Sequence, residues 1–150
     1  MDSYREIENL IYRYAEHIDA GDLEGAAELF RHGAILSPAH NSRVEGYDKV
    51  LALYRAACRI YPDSGTPKTR HLTTNVLIEV EGDEALARST YTVLQCTESF
   101  PLQPVITGRY HDTFARREGR WHFSERAMYL DFIGDWTAHM LYDPNSLSSG

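Results

Sequence analysis

The second half of the sequence consists almost entirely of segments with strand character, and this feature constrains the fold more than any other. Stretches rich in Val, Ile, Thr, Leu and aromatic residues recur near 70–80, 84–96, 105–116 and 120–131. The turn sequences EGDE and REGR separate the first pair of stretches and the last pair. Because consecutive strands joined by tight turns pair antiparallel, this half predicts an antiparallel-rich sheet.

The first half of the sequence has helical periodicity instead. Ser3 and Glu6 form a capping-box pattern at the start of a first helix, and Gly21 suits the position just after its end. The apolar stripe of this helix is Ile7, Leu10, Ile11, Tyr14 and Ile18. Asp22 can cap a short second helix. A short strand is expected at 34–37 and a third helix at about 48–59.

These patterns predict one α+β domain over residues 1–142, followed by a flexible tail over 143–150. No apolar run is long enough to span a membrane, and the first residues lack the basic and apolar regions of a signal peptide, so a cytoplasmic location is expected. A net charge of −7 disfavours nucleic acids and anionic membranes as partners. Cys58 and Cys96 are expected to be reduced thiols in the core.

The stretch TRHLTTNVLIEV, residues 69–80, carries the candidate functional residue His71. If the strand is regular, alternate residues share a face. The polar face then comprises His71, Thr73, Asn75 and Leu77. The apolar face comprises Leu72, Thr74, Val76, Ile78 and Val80. From the residues alone, a solvent-exposed histidine and a catalytic base in a polar-lined pocket are both open interpretations.

Tyr14 and Asp19 lie on the first helix and point about 140° apart, so they cannot both face the middle of its apolar stripe. The simpler interpretation is a core tyrosine and a solvated aspartate. Asp19 is at the end of the helix, however, where the chain can turn its side chain inward.

The orientation of Arg126 depends on the register of the last hairpin. A two-residue turn pairs Phe114 with Phe123 and His111 with Arg126, which places Arg126 on the face away from the phenylalanines. A single bulge reverses this result. A surface arginine and a pocket arginine therefore both remain open.

His111, Asp112 and His122 suggest a metal site, but a regular strand directs His111 and Asp112 to opposite faces. The sequence contains no GxSxG, P-loop or GxGxxG motif. Neither cysteine has a sequence context that marks it as a nucleophile. We therefore expect no metal and no cofactor.

Four phrases, in this order, resemble the SnoaL-like branch of the nuclear transport factor 2-like superfamily: YRYAEHIDAGDLEGAAELF, RVEGYDKVLALY, TRHLTTNVLIEVEGDEALA and GRYHDTFARREGRWHFSER. Together they cover roughly residues 4 to 130. The resemblance implies a cone, in which a strongly curved, antiparallel-rich mixed sheet wraps around N-terminal helices and encloses a deep pocket.

The resemblance also implies a set of site residues. Dehydratases of this superfamily use a His–Asp pair inside the cone, and His71 and Asp19 match its positions. Tyr14 matches a tyrosine that precedes the aspartate, and Arg126 matches a basic residue on the last strand. The sequence departs from scytalone dehydratase and from bile acid 7α-dehydratase at one strand, because STYTVLQCTESF offers neither a second histidine nor an additional aspartate.

The function implied is a cofactor-independent lyase or isomerase that acts on a small hydrophobic hydroxy-carbonyl compound, either cyclic or acyclic. In this mechanism His71 is the base, Asp19 orients it, Tyr14 donates to the carbonyl oxygen and Arg126 binds an anionic or oxygen-bearing part of the ligand. Two alternatives share the fold: a non-catalytic module that binds a small molecule, and a structural subunit like the small subunit of ring-hydroxylating dioxygenases.

Relatives of this type imply a homo-oligomer, a dimer or trimer, in which another subunit covers the expected apolar face of Leu72, Val76, Ile78 and Val80. At the C-terminal end, Phe132, Trp136 and Met140 are spaced by four residues. This spacing predicts either a lid helix or a packing helix.

Overall fold

The computed structural model describes residues 2–144. The elements, in chain order, are α1 (Ser3–Asp19), α2 (Leu23–Glu28), β1 (Ala34–Ser37), β2 (Ser42–Glu45), α3 (Tyr47–Ala57), β3 (Thr69–Glu81), β4 (Glu84–Gln95), β5 (Gln103–Arg117) and β6 (Arg120–Ile133). The predicted strands and the first three predicted helices are confirmed to within a few residues. Residues 145–150 of the predicted flexible tail lie outside the described residues.

The strands form one six-stranded sheet in the order β2-β1-β6-β5-β4-β3. β1 runs parallel to β6, and the other neighbouring pairs are antiparallel. The sheet is curved and unclosed, and the helices lie against its inner face, so the predicted α+β cone is confirmed. Among the described residues, no helix is long and apolar enough to cross a membrane.

The start of α1 differs from the predicted capping box. Asp2 is the N-cap, and its side chain accepts a hydrogen bond from the Arg5 backbone N–H at 2.9 Å. Glu6 reaches across the fold instead, where its carboxylate accepts the backbone N–H of Trp121 at 2.8 Å. This bond ties the first turn of α1 to the start of β6.

The end of α1 is fixed by Gly21, as predicted. Gly21 has φ +74°, and a Cβ atom at this position would lie 2.0 Å from the carbonyl oxygen of Gly65. Asp22 then caps α2 by accepting the Gly25 backbone N–H at 2.9 Å. The close approach of the loop around Gly65 positions the end of α1, and with it Asp19, beside the start of β3.

The apolar stripe of α1 packs into the sheet as expected, and all five residues of the stripe are buried. The core also contains Phe30, which stacks on Phe123 with ring centres 4.8 Å apart, and Phe114, which contacts the same ring. Cys58 is half-buried, but Cys96 is exposed, so the prediction of two core thiols is wrong for Cys96.

β3 is not regular, and this overturns the predicted division of its faces. The register with β4 shifts between Thr74 and Leu77, and Asn75 has φ +53°, so one extra residue forms a bulge. Before the bulge, His71 and Thr73 face inward; after it, the inward residues are Val76, Ile78 and Val80, which pack against the core. The expected apolar outer face is therefore wrong, since only Leu72 of the four residues named for it is exposed.

A second bulge lies in β6 and decides the orientation of Arg126. Phe114 pairs with Phe123 as predicted, but Ser124 is an extra residue, so Arg126 pairs with Asp112 and not with His111. Trp121, Phe123 and Arg126 consequently all face inward. The surface interpretation of Arg126 is wrong.

The segment after β6 is not the predicted helix. β6 continues through Ile133, which leaves Phe132 on the strand with 74% of its surface exposed. Residues 137–139 form a turn in which the backbone N–H groups of His139 and Met140 both donate to the carbonyl of Trp136. Met140 then pairs with Cys58 in an isolated bridge, so this C-terminal segment (residues 134–144) folds back over the end of α3.

Candidate active site

The structure brings Asp19 and His71 together. Asp19 is the last residue of α1, and His71 is the third residue of β3. His71 Nδ1 lies 2.5 Å from Asp19 Oδ1. The other oxygen, Oδ2, accepts the backbone N–H of His71 at 2.7 Å, and the hydroxyl of Thr69 donates to Oδ1 at 2.9 Å. Because the carboxylate is held from both sides, the orientation of the imidazole ring is fixed as well.

Asp19 is an ionised carboxylate in its contact with His71. Partial burial opposes the charge on Asp19, but the hydrogen bonds from His71 and Thr69 outweigh it and lower the pKa of Asp19. A carboxylate only accepts, so His71 donates from Nδ1. In the neutral form of this ring Nε2 carries the lone pair, and this is the arrangement that a general base requires.

Tyr14 lies in the interior, where its hydroxyl makes a short hydrogen bond to the hydroxyl of Tyr54. Its ring contacts those of Phe30, Tyr54 and Tyr110 edge-on at about the same distance, 6.0 to 6.1 Å between centres. Burial raises the pKa of Tyr14 well above its ordinary value, and the neighbouring Tyr54 acts in the same direction. Tyr14 therefore stays protonated at neutral pH and remains a hydrogen-bond donor.

Arg126 and Asp112 form a fully buried ion pair. Nε and Nη2 of Arg126 donate to the two carboxylate oxygens of Asp112 at 2.8 and 2.9 Å. The guanidinium also lies 3.7 Å from the ring centre of Tyr110 and 4.4 Å from that of Tyr14. Burial opposes the charge on Arg126, but the adjacent carboxylate outweighs it and raises the pKa of Arg126. Nη1 has no hydrogen-bond partner.

The site residues thus fall into two groups, the Asp19–His71 pair and a tyrosine–arginine cluster, for which the members are Tyr14, Tyr54, Tyr110, Asp112 and Arg126. Within the described part of the chain, no hydrogen bond joins the two groups. Tyr14 is five residues, about 7.5 Å, from Asp19 along the axis of α1. Arg126 is farther from His71 along the sheet. On β4, the residue paired with His71 is Val93, and the residue paired with Asp112, the partner of Arg126, is Ala87. These two positions are six residues, about 20 Å, apart along the strand.

Tyr54 and His139 were not identified from the sequence as members of a site, and Asp112 was considered only as a metal ligand. A signal for Asp112 existed, because it has the same strand parity as Tyr110 and Phe114, which are large residues of the core. His139 is buried beside His71, with ring centres 6.2 Å apart, and nothing in its local sequence predicts this contact.

The predicted deep pocket has not been tested and stays a prediction. Two concavities, of about 650 and 400 Å³, lie on the described surface, and neither is lined by His71, Asp19 or Tyr14. His111 is exposed and Asp112 is buried, so they point apart. Over residues 2–144, no three His, Cys, Asp or Glu side chains come together as a group that could hold a metal ion.

The sequence matches the family model of the SnoaL-like domain over residues 1–127. The chain belongs to the SnoaL-like domain family. No protein of curated function matches this SnoaL-like domain. Its fold is similar to that of an NTF2-like protein with a cystatin-like fold from Novosphingobium aromaticivorans, with a TM-score of 0.71 and 25% identity over 85% of this chain and 80% of that one.

Two further solved structures are similar to this SnoaL-like domain. A candidate scytalone dehydratase from Novosphingobium aromaticivorans shares 25% identity at a TM-score of 0.67, over 88% of this chain and 86% of that one. A protein of unknown function from Mycobacterium tuberculosis shares 27% identity at a TM-score of 0.69, over 87% of this chain and 77% of that one. These relatives support the fold and the family assignment.

Proposed function

We propose that this SnoaL-like domain is a cofactor-independent lyase or isomerase in which His71 removes a proton from the carbon next to a carbonyl group. The observation that carries the proposal is the Asp19–His71 contact of 2.5 Å, which occupies Nδ1 and leaves Nε2 as the base. Asp19 stabilises the imidazolium that forms, and its lowered pKa keeps it ionised for this role.

For a β-hydroxy carbonyl substrate, the proposed reaction is elimination of water. Nε2 of His71 takes the α-proton, and the electron pair of the broken C–H bond forms an enolate. The enolate then re-forms the carbonyl while the C–O bond to the hydroxyl breaks. The leaving oxygen takes the proton from the His71 imidazolium, so water and an α,β-unsaturated carbonyl compound are released and the base is regenerated.

The enolate oxygen needs a hydrogen-bond donor, and Tyr14 is the proposed donor. Its hydroxyl remains protonated at neutral pH and is held by Tyr54. The aromatic rings of the tyrosine–arginine cluster favour a hydrophobic, cyclic substrate. Similarity to the candidate scytalone dehydratase agrees with this substrate class.

For Arg126 we propose an indirect role instead of the expected contact with an anionic ligand. Asp112 already neutralises its charge, and the guanidinium is sandwiched against the rings of Tyr14 and Tyr110. Because Asp112 neutralises the guanidinium, the pair attracts a second anion only weakly, and its remaining contacts are with the two tyrosine rings. Arg126 is therefore a positioning residue for the tyrosines in this proposal.

The experiment is α-proton exchange of benzylacetone in D₂O, followed by NMR, because exchange requires the base and no leaving group. His71→Asn should reduce the enzyme-dependent rate by about a hundredfold or more, which is the usual contribution of a general base. Asp19→Asn should reduce it at least about tenfold. The matched control is His17→Asn, which disrupts the exposed His17–Asp22 pair and should leave the rate unchanged.

A ligand-induced rise in melting temperature separates the proposal from the binding-module alternative. If benzylacetone stabilises the wild-type protein and the His71→Asn variant equally and neither exchanges its protons, the domain is a binding module. If the protein is stable only in complex with a larger partner chain, the structural-subunit alternative holds instead.

A further inference from the structure

A second imidazole lies against the Asp19–His71 pair. His139 belongs to the C-terminal segment and has only 6% of its surface exposed. Its ring centre is 6.2 Å from that of His71, and the two ring planes are inclined by 74°. The mechanism described above uses no group of this segment.

The position of His139 is fixed by the backbone around it. Four hydrogen bonds hold this part of the segment: Tyr61 Oη to the Ala138 carbonyl, Gln95 Nε2 to the same carbonyl, Arg59 N to the His139 carbonyl, and Leu141 N to the Ala57 carbonyl. The anchors come from the end of α3, from the loop that follows it and from the end of β4. Three parts of the chain therefore fix the backbone at His139, and this holds its ring beside His71.

The backbone around His139 is hydrogen-bonded, but Nδ1 of its ring is buried and has no hydrogen-bond partner. Buried polar atoms in folded proteins are nearly always hydrogen-bonded, so an exception needs an explanation. The unpaired nitrogen belongs to the ring that packs against the candidate base, so a substrate oxygen bound beside His71 could satisfy it.

His139 is neutral in this environment. Burial lowers its pKa to about 4, and the neighbouring His71 acts in the same direction, whereas Asp19 opposes the shift. A neutral imidazole presents one donor and one acceptor, so it can bind a hydroxyl group, which is itself both. It also stays neutral when His71 becomes an imidazolium.

We infer that His139 binds the hydroxyl oxygen of the substrate and holds it beside His71, an inference that rests on the proposed proton transfer by His71. An oxygen atom that makes hydrogen bonds of about 2.8 Å to one nitrogen of each ring places these nitrogens about 4.5 to 5 Å apart. Ring centres 6.2 Å apart are compatible with this separation. The hydroxyl is then the group nearest to the proton that His71 carries, so His139 selects substrates with a leaving hydroxyl.

The test compares two ketones, benzylacetone and its β-hydroxy derivative, the aldol adduct of benzaldehyde and acetone. Binding is measured by titrating protein with ¹⁵N-labelled histidine and following the ring nitrogens by NMR. We expect the hydroxy ketone to shift the His139 nitrogens and benzylacetone to leave them unchanged. His139→Phe should weaken binding of the hydroxy ketone about fivefold, the value of one neutral hydrogen bond, and leave benzylacetone binding unchanged.

Two variants guard against a merely structural effect. His139→Asn keeps a neutral donor and acceptor near the position of Nδ1 and should restore affinity for the hydroxy ketone to within about twofold of wild type. His111→Phe, at an exposed position of β5, should change neither affinity. Thermal melting shows whether each variant is folded.

The outcomes separate the two proposals. If benzylacetone exchanges its α-protons through His71 but His139→Phe binds both ketones as the wild type does, the inference about His139 is overturned and the proposed function stands. If the wild-type protein neither binds the ketones nor exchanges their protons, the proposed function fails and the inference fails with it.

Discussion

Removing Asp112 alone should destabilise the protein more than removing Asp112 and Arg126 together. In the wild-type protein the guanidinium has no exposed surface and two of its three nitrogens bond to Asp112, at 2.8 and 2.9 Å. Nη1 is already without a partner. Asp112→Ala leaves all three nitrogens and a full charge in the interior, and breaking a buried pair in this way costs about 3 to 5 kcal/mol.

The double variant, Asp112→Ala with Arg126→Met, removes the charge together with its partner. Methionine keeps an apolar contact with the rings of Tyr14 and Tyr110, so the double variant should lie within about 1 to 2 kcal/mol of the wild type. The two substitutions then do not add, and the interaction free energy is at least about 1 to 3 kcal/mol. Urea denaturation followed by circular dichroism measures Asp112→Ala, Arg126→Met and the double variant.

The control is Asp131→Ala at the exposed ion pair between Arg109 and Asp131. This pair has three hydrogen bonds, more than the buried one, but its side chains are 47% and 28% exposed. Its loss should cost less than about 1 kcal/mol because water replaces the missing partner. If Asp112→Ala costs no more than the control, or if the double variant is as unstable as the sum of the single ones, the reasoning about Arg126 is refuted.

Three other perturbations test parts of the fold that position the site. Acidification should loosen residues 134–144, because burial lowers the pKa of His139 from 6.5 to about 4. The free energy of unfolding of this segment is highest above pH 6.5 and falls by up to about 3 kcal/mol as the pH approaches 4, because the unfolded state takes up the proton first. Amide hydrogen exchange measures this change. Gly21→Ala should be more destabilising in urea than Gly46→Ala: φ is positive at both positions, but only at Gly21 does Cβ meet backbone, at 2.0 Å. Asn75→Val should lower the melting temperature more than Asn75→Gly, because a β-branched residue resists φ +53°.

The elements of this fold were predictable from the sequence because each depends on local patterns. Strand and helix bounds follow from periodicity and turn residues, and the pairing of Phe114 with Phe123 follows from the length of the hairpin turn. The contact between Asp19 and His71 joins residues far apart in the chain, and no local pattern specifies it. The family resemblance suggested it, and the geometry now shows it.

The faces of β3 and β6 could not be predicted from residue alternation, because a bulge in each strand shifts the alternation by one residue. Asn75 offered a signal, since asparagine is unfavourable in strands and tolerates positive φ. Ser124 offered none, and the inward position of Arg126 follows only from the register with β5. The four-residue spacing of Phe132 and Trp136 predicted a helix, but pairing of Ile133 with Ile106 extends β6 instead, so tertiary pairing overrides the local pattern.

The bulge at Asn75 shifts the register of β3 by one residue, and this shift separates the part of the strand that serves the site from the part that serves the core. Before it, β3 presents His71 to Asp19; after it, the same inner face presents Val76, Ile78 and Val80 to the core. Without the extra residue, the strand would have to expel either His71 or the three aliphatic side chains, because a shift of one residue exchanges the two faces. The bulge is therefore the local feature that allows one strand to supply both a polar site and an apolar core.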